Sequence, residues 1–250
     1  MFKIIVLLVK IFKLIYIKIK QDIDIFTHSC DCSCMQLSKG KLRWFRRQLL
    51  AWGKLHRRQF PWRESKDPYA ILVAEFLLQK TNASLVVPLY KAFIENFPTV
   101  TALATAPAPQ VTKLLLPLGL SFRGERLHRT AKMLLEKYGG KIPAEESKLR
   151  KLPGVGKYIA RSVCACAFGQ RKAVVDTNVA RILERFFGLE GGKVKSRSRV
   201  LWEASEQLVP RTRAGDWNLA LLDFGATVCT AKKPRCLECP LRQQCEYLAL

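Results

Sequence analysis

The segment Leu152-Pro153-Gly154-Val155-Gly156-Lys157-Tyr158-Ile159-Ala160 stands between two stretches of helical pattern and decides how they meet. Pro153 fixes the entry to the turn, and the two glycines permit backbone conformations that a Cβ would hinder. The next helix starts at once, so its first N–H groups lack helical acceptors and can point at an anion, with Lys157 beside them. A Pro-Gly-x-Gly turn alone also fits a plain connection between two helices; its surroundings have to decide.

Outward from this turn the pattern is helical on both sides. Apolar residues recur every three or four positions in Leu42–Leu55, Tyr69–Lys80, Ala83–Asn96, Pro109–Leu118 and Gly124–Tyr138. They do so again in Ile159–Phe168, Asn178–Phe187, Ser198–Val209 and Asn218–Phe224. Pro61, Pro68, Pro98, Gly139-Gly140, Pro143, Gly188 and Gly191-Gly192 mark the breaks. No period-two run suggests a sheet and no fixed-period repeat is visible. The chain reads as an all-α protein of roughly ten helices. The basic segment Gly188–Arg199 reads either as a flexible connection or as a loop that contacts phosphates.

Lys and Arg number 43 against 20 acidic residues, a net charge of +23. A field of that sign attracts polyanions, of which phosphate backbones are the commonest; an anionic membrane surface competes. Residues 1–34 differ from the rest, being rich in Ile and Lys and lacking Arg. Their longest uninterrupted apolar run, Ile4 to Val9, is too short to span a bilayer, and no small-residue cleavage site follows. The stretch reads as an atypical extension, with translation expected to start at Met35 and no stable membrane association. Its five Lys and three Asp contribute only +2, so the body keeps +21. Of nine cysteines, Cys30, Cys32 and Cys34 lie in this extension. Cys164 and Cys166 sit in an apolar helical run and read as buried small residues. The other four fall in the last 22 residues. That distribution points to a reducing, intracellular compartment and a metal site rather than a disulfide framework.

Those four, Cys229, Cys236, Cys239 and Cys245, have the spacing C-x6-C-x2-C-x5-C. Four thiolates so close bind either Zn²⁺ or an iron–sulfur cube, and spacing alone leaves the choice open. Two carboxylates also stand out. Asp176 precedes a helix, where it can cap N–H groups and stay ionised. Glu75 lies in the otherwise apolar helix Tyr69–Leu78; an isolated buried carboxylate is costly, so it should line a cavity or find a partner, with its pKa raised by burial.

Together these motifs resemble the helix-hairpin-helix DNA glycosylases, the superfamily of endonuclease III and the MutY-type adenine glycosylases. LPGVG (152–156) matches their hairpin and VVDTNVARIL (174–183) the segment holding their essential aspartate, within a resemblance running from about Trp44 to Tyr247. It implies a two-lobed all-α fold: a helical lobe, 68–171, ending in the hairpin, and an iron–sulfur lobe built from 35–67 plus 172–250. DNA would bind in the cleft, with Glu75 and Asp176 facing each other across it. It implies that Gly154, Val155, Gly156 and Lys157 hold a DNA phosphate, that Asp176 stabilises positive charge on the sugar, and that Glu75 protonates the leaving base. Bifunctional members carry a nucleophilic lysine where this chain has Tyr158; Lys157 is one residue early, about 100° around the helix. The expected nucleophile is therefore water, with little or no strand cleavage and Tyr158 packed near the sugar or base. Gln79 and Lys80 fall where relatives push a side chain into the gap left by a flipped nucleotide. The cysteine spacing is that of the branch's [4Fe–4S] loop, and Lys232, Lys233, Arg235 and Arg242 beside it suit contact with the DNA backbone.

Three features bear on the substrate. The chain ends five residues after Cys245, without the further C-terminal domain by which MutY-type enzymes recognise 8-oxoguanine. Gly119-Leu120-Ser121-Phe122-Arg123 departs from that branch's Gly-Tyr-Tyr turn. LPGVGKYIA, VVDTNV and WNLALLDFGA look closer to the Mig-type thymine–DNA glycosylases. The expected activity is hydrolysis of the N-glycosidic bond of T or U opposite G in double-stranded DNA, by a monomer located in the cytoplasm or nucleoid. Adenine excision opposite G or 8-oxoguanine is the second reading, and a non-catalytic iron–sulfur DNA-binding protein the alternative of another class.

Overall fold

The described parts of the computed structural model, residues 37–116 and 121–249, hold twelve α-helices, four short 3₁₀ turns and no strand. The extension 1–34, the Met35 start and the first two residues of Gly119–Arg123 lie outside the described residues. Helix α1 (Lys39–His56) buries Leu42, Phe45 and Leu49, three and four residues apart on one face. Helices α2 (Pro61–Glu64) and α3 (Pro68–Leu78) both begin on proline, and Asp67 caps α3 by accepting from Tyr69 N at 3.0 Å. Then come α4 (Ala83–Asn96), α5 (Val100–Thr105), α6 (Ala108–Leu115) and α7 (Ser121–Tyr138), with α7 packed against α5 and α6. After the one-turn α8 (Glu146–Leu149) and the 152–156 turn come α9 (Lys157–Cys166), α10 (Thr177–Phe187), α11 (Arg199–Leu208) and α12 (Ala214–Thr227).

Helices form at all nine spans expected from the sequence, although Pro109–Leu118 is helical as Ala108–Leu115 and its last two residues lie outside the described residues. The three that periodicity missed, α2, α5 and α8, are four to six residues long, too short for a 3.6-residue period to show. Helix α3 stops at Leu78, so Gln79–Thr81 is a turn rather than the helix's last residues.

Buried apolar residues from Trp62 to Cys164 gather in one core, around α3, which is apolar on nearly every face. Helix α3 rests on α9 and α4. Helices α1, α10 and α12 build a second packing centre. Phe45 of α1 meets Phe186 of α10 at 4.7 Å between ring centroids and Trp217 of α12 at 6.0 Å; all three rings are almost wholly buried. Helix α12 touches α1, α10 and α9, so it joins the two centres. Its contact with α10 is close: a Cβ at Gly225 would lie 2.6 Å from the Cβ of Asn178. The loop 188–198 folds back on α10, where Glu184 accepts from Gly191 N at 3.1 Å and from Lys195 at 2.5 Å.

Candidate active site

The turn between α8 and α9 is built for a backbone that lies open to solvent. Gly154 adopts φ +79°, and a Cβ there would sit 2.9 Å from the Phe76 ring that supports the turn from α3. Thr130 donates to the Pro153 carbonyl at 2.6 Å, and Val155 is buried beneath. Gly156 is the N-cap of α9 and brings no side chain to satisfy the first N–H groups, which leaves them for an external acceptor. Gly154 and Gly156 are exposed. The Lys157 ammonium turns toward α11 and lies 4.0 Å over the Trp202 ring.

Tyr158, Ser162 and Cys166 are spaced four apart on α9 and so share a face. Opposite them stands Glu75 of α3, whose Oε1 accepts from Ser162 Oγ at 2.5 Å. Glu75, Tyr158 and Cys166 line a cavity of about 320 Å³, walled also by Trp62, Arg63, Ile71, Leu78, Leu219 and Leu222. Burial lifts the Glu75 carboxyl to about 7; the Ser162 hydrogen bond opposes that rise, nearby Asp176 adds to it and Arg63 opposes it. Burial, then Glu75 and Asp176, push the Tyr158 phenol far up, so it stays neutral. Cys166 is held at about 12, chiefly by burial. Cys164 is the fully buried small residue expected; Cys166 instead faces the cavity.

Asp176 caps α10. Its Oδ1 accepts from Val179 N at 2.8 Å and its Oδ2 from Asn178 Nδ2 at 2.9 Å. Burial raises its pKa, but these donors restrain the rise. Asp176 does not line the cavity itself. It sits at the Tyr158 end, close enough for its charge to act on both Tyr158 and Glu75.

A buried ion cluster holds the cavity's other wall. Asp223 of α12 is fully buried and accepts from Arg63 Nη1 at 2.6 Å, Arg63 Nη2 at 2.9 Å and Arg58 Nε at 2.6 Å. Burial pushes this carboxyl up, but the two guanidinium groups more than reverse that, and it ends below the usual range. Sequence reasoning missed Ser162, Arg63, Arg58 and Asp223. Only Arg63's place after the Pro61-Trp62 helix start offered any signal, and nothing linked it to a carboxylate 160 residues away.

At the end of α3, Lys80 takes φ +56°, a left-handed conformation unusual for a residue with a Cβ. Arg123, itself almost buried, donates to Thr81 Oγ1 at 2.9 Å and fastens this turn to α7. Gln79 is half-buried and Lys80 exposed, so the turn offers both side chains outward.

In the C-terminal loop the side chains of Cys229, Cys236, Cys239 and Cys245 line one small cavity together with Arg185 and Tyr247. None of the four is in a disulfide. Burial first, then the other three sulfurs, raise the Cys239 thiol to about 11. Among the described residues no His, Cys, Asp or Glu set closes around a single ion; the four sulfurs surround a shared space instead. Arg185 Nη1 lies 3.6 Å from Cys229 Sγ, and a cationic donor beside a sulfur suits a cluster of thiolates. Lys232, Lys233, Arg235 and Arg242 are exposed around it.

Residues 73–207 match the HhH-GPD superfamily base excision DNA repair protein family, and residues 229–245 match the iron–sulfur binding domain of endonuclease III. The chain belongs to the HhH-GPD superfamily. It is 40% identical to a thymine-DNA glycosylase of Aeropyrum pernix over 216 residues, covering 84% of this chain and 97% of that protein. An adenine DNA glycosylase of Homo sapiens is 37% identical over 211 residues, 80% of this chain but 39% of that protein. The solved structure of a thermostable thymine-DNA glycosylase superposes with a TM-score of 0.80 at 34% identity, covering 84% of this chain and 97% of that one. As a member of this superfamily the protein is a DNA glycosylase, a hydrolase of the N-glycosyl bond, with a [4Fe–4S] loop at its C-terminal end. No helix among the described residues is long and apolar enough to cross a membrane.

Proposed function

We propose that this glycosylase removes T or U mispaired with G from double-stranded DNA by hydrolysis, leaving the strand uncut. The observation that carries the reading is that Glu75 and Tyr158 share one cavity while Asp176, outside its lining, is close enough for its charge to act on both. A cavity of about 320 Å³, with apolar walls from Trp62, Ile71, Leu78, Leu219 and Leu222 and a buried protonatable carboxyl at Glu75, suits a single flipped base; Arg57, Lys66, Arg213 and Asp216 also line it. The similarity to a thymine-DNA glycosylase across nearly that protein's whole length favours T or U over adenine.

In this reading the N–H groups at the start of α9 hold a backbone phosphate near the flipped nucleotide, and Gln79 and Lys80 enter the space it leaves. The glycosidic bond breaks with its electron pair passing to the base. Glu75, half-protonated near neutrality, gives its proton to that base. Positive charge grows on the sugar and is stabilised by ionised Asp176, which also receives a proton as water adds to C1′. Tyr158 is not an amine and forms no covalent link to the sugar, so the product is an intact strand with an abasic site. Cys229, Cys236, Cys239 and Cys245 would hold the [4Fe–4S] cluster, which would brace the C-terminal loop for contact with DNA and take no part in breaking the bond.

Matched duplexes holding G·T, G·U, A·G or A·8-oxoguanine test this, with and without alkali. Breaks only after alkali, on G·T and G·U, are the expected result. Cleavage confined to the adenine duplexes would reassign the substrate, and breaks without alkali would refute the role of Tyr158.

A further inference from the structure

Ser162 occupies a position that no step of the proposed reaction uses, yet it is the one side chain that hydrogen-bonds Glu75 among the described residues. It is 4% exposed and sits mid-helix. A serine there commonly bonds back to the carbonyl one turn earlier. Here the hydroxyl reaches across to α3, spending its single proton on Glu75 Oε1. Cys166, one turn further along α9, shares this face and lines the same cavity. Glu75 Oε2 accepts no hydrogen bond from the described residues and belongs to a side chain that lines the cavity.

We propose that Ser162 is a positioning residue for Glu75: by occupying Oε1 it confines the carboxyl proton to Oε2, the oxygen that meets the leaving base. This rests on the reading of Glu75 as proton donor. A carboxyl with both oxygens unclaimed would share its proton between them and rotate; one pinned by a buried hydroxyl presents a single donor in one direction. The charged and titratable groups that act on Glu75 or share its cavity are Tyr158 and Cys166 on α9, Arg63 on α2 and Asp176 before α10, with Arg57, Lys66, Arg213 and Asp216 further along the wall. Arg63 is the charged group that shares the serine's tendency to favour ionised Glu75, and it is already committed to Asp223.

The test compares wild type, Ser162→Ala and Ser162→Cys, the last being near-isosteric with a much weaker donor. Glu75 is titrated directly by NMR of protein labelled with carboxyl-¹³C glutamate, its signal assigned by its loss in Glu75→Gln. In parallel, single-turnover base release from a G·U duplex is followed from about pH 5 to 9. In Ser162→Ala the Glu75 titration should rise by roughly one pH unit, and the alkaline fall in rate should rise with it. The plateau rate should drop about threefold to tenfold as the donor loses its direction, and Ser162→Cys should lie between. An unmoved titration in a folded, duplex-binding Ser162→Ala protein overturns the proposal. A titration that moves while the rate profile stays fixed overturns instead the reading of Glu75 as the proton donor, and with it the catalytic meaning of Ser162.

Discussion

Arg181 joins Cys229 to the capping carboxylate Asp176. Its Nε donates to the Cys229 carbonyl at 2.8 Å, and its Nη2 donates to Gly225 O at 2.7 Å and to Asn178 Oδ1 at 2.8 Å. Asn178 in turn donates to Asp176 Oδ2 at 2.9 Å. One guanidinium thus fixes the start of the cysteine loop and, through one amide, the orientation of the carboxylate. Arg181→Ala should slow base release by roughly tenfold or more, because a charge-assisted hydrogen bond of about 1.5–3 kcal/mol is lost. The visible absorbance of the iron–sulfur cluster should stay near that of wild type. Loss of both together would mean that Arg181 serves the loop alone.

Asp176→Asn keeps size and the helix cap while removing the charge. Base release should fall by at least about a hundredfold, with duplex affinity within about threefold of wild type. Single-turnover rates and fluorescence anisotropy on the same duplex measure both. Retained base release would assign the carboxylate to capping only.

Glu75 makes stability depend on pH. Its folded pKa of about 7 lies above the ordinary value of 4.5, so between those values the folded state holds a proton that the unfolded state releases. Stability should therefore fall as pH rises through that window, and the loss should be complete above it. Glu75→Gln should abolish this slope and, at pH 8, melt higher by roughly 5 °C, from about 2 kcal/mol. It should also be inactive. An unchanged pH slope in thermal melts would contradict burial as the cause.

Asp223 has the opposite sign. Its folded pKa is depressed, so its contribution is present above the unfolded value near 3.8 and is lost as pH falls through the folded one. Asp223→Asn strands Arg63 and Arg58 without their counter-charge and should cost about 3–5 kcal/mol. Urea melts at pH 7 check this, with a loss under about 1 kcal/mol counting against the cluster as a fold determinant. Because Arg63 also walls the cavity, activity at permissive temperature should fall as well.

Local signals carried much of this in the sequence. A period needs several turns to be visible, so the long helices could be read and the one-turn α2 and α8 could not. The hairpin and the cysteine loop are short-range patterns, legible because their parts adjoin. Asp176 was legible as a cap for the same reason, and Glu75 as a charge in an apolar helix. Ser162 and Asp223 gave no such sign. A serine in an apolar helix is ordinary, and an aspartate near a chain's end looks like surface. Their meaning lies in partners 87 and 160 residues away, which only the packing of α3 on α9 and of α12 on α2 supplies.

The ring cluster of Phe45, Phe186 and Trp217 has a consequence for how the protein is made. Helix α1 leaves the ribosome early, but the rings that cover it belong to α10 and α12, and α12 begins at Ala214. At about 5–20 residues per second, α1 must wait roughly 8 to 30 seconds with Phe45 uncovered, while the core from Trp62 to Cys164 can condense behind it. Until α12 is made, the nascent chain therefore carries α1 as an exposed amphipathic helix, a natural handle for a chaperone. The cysteine loop follows α12, so iron would reach it only once α1 and α12 have met.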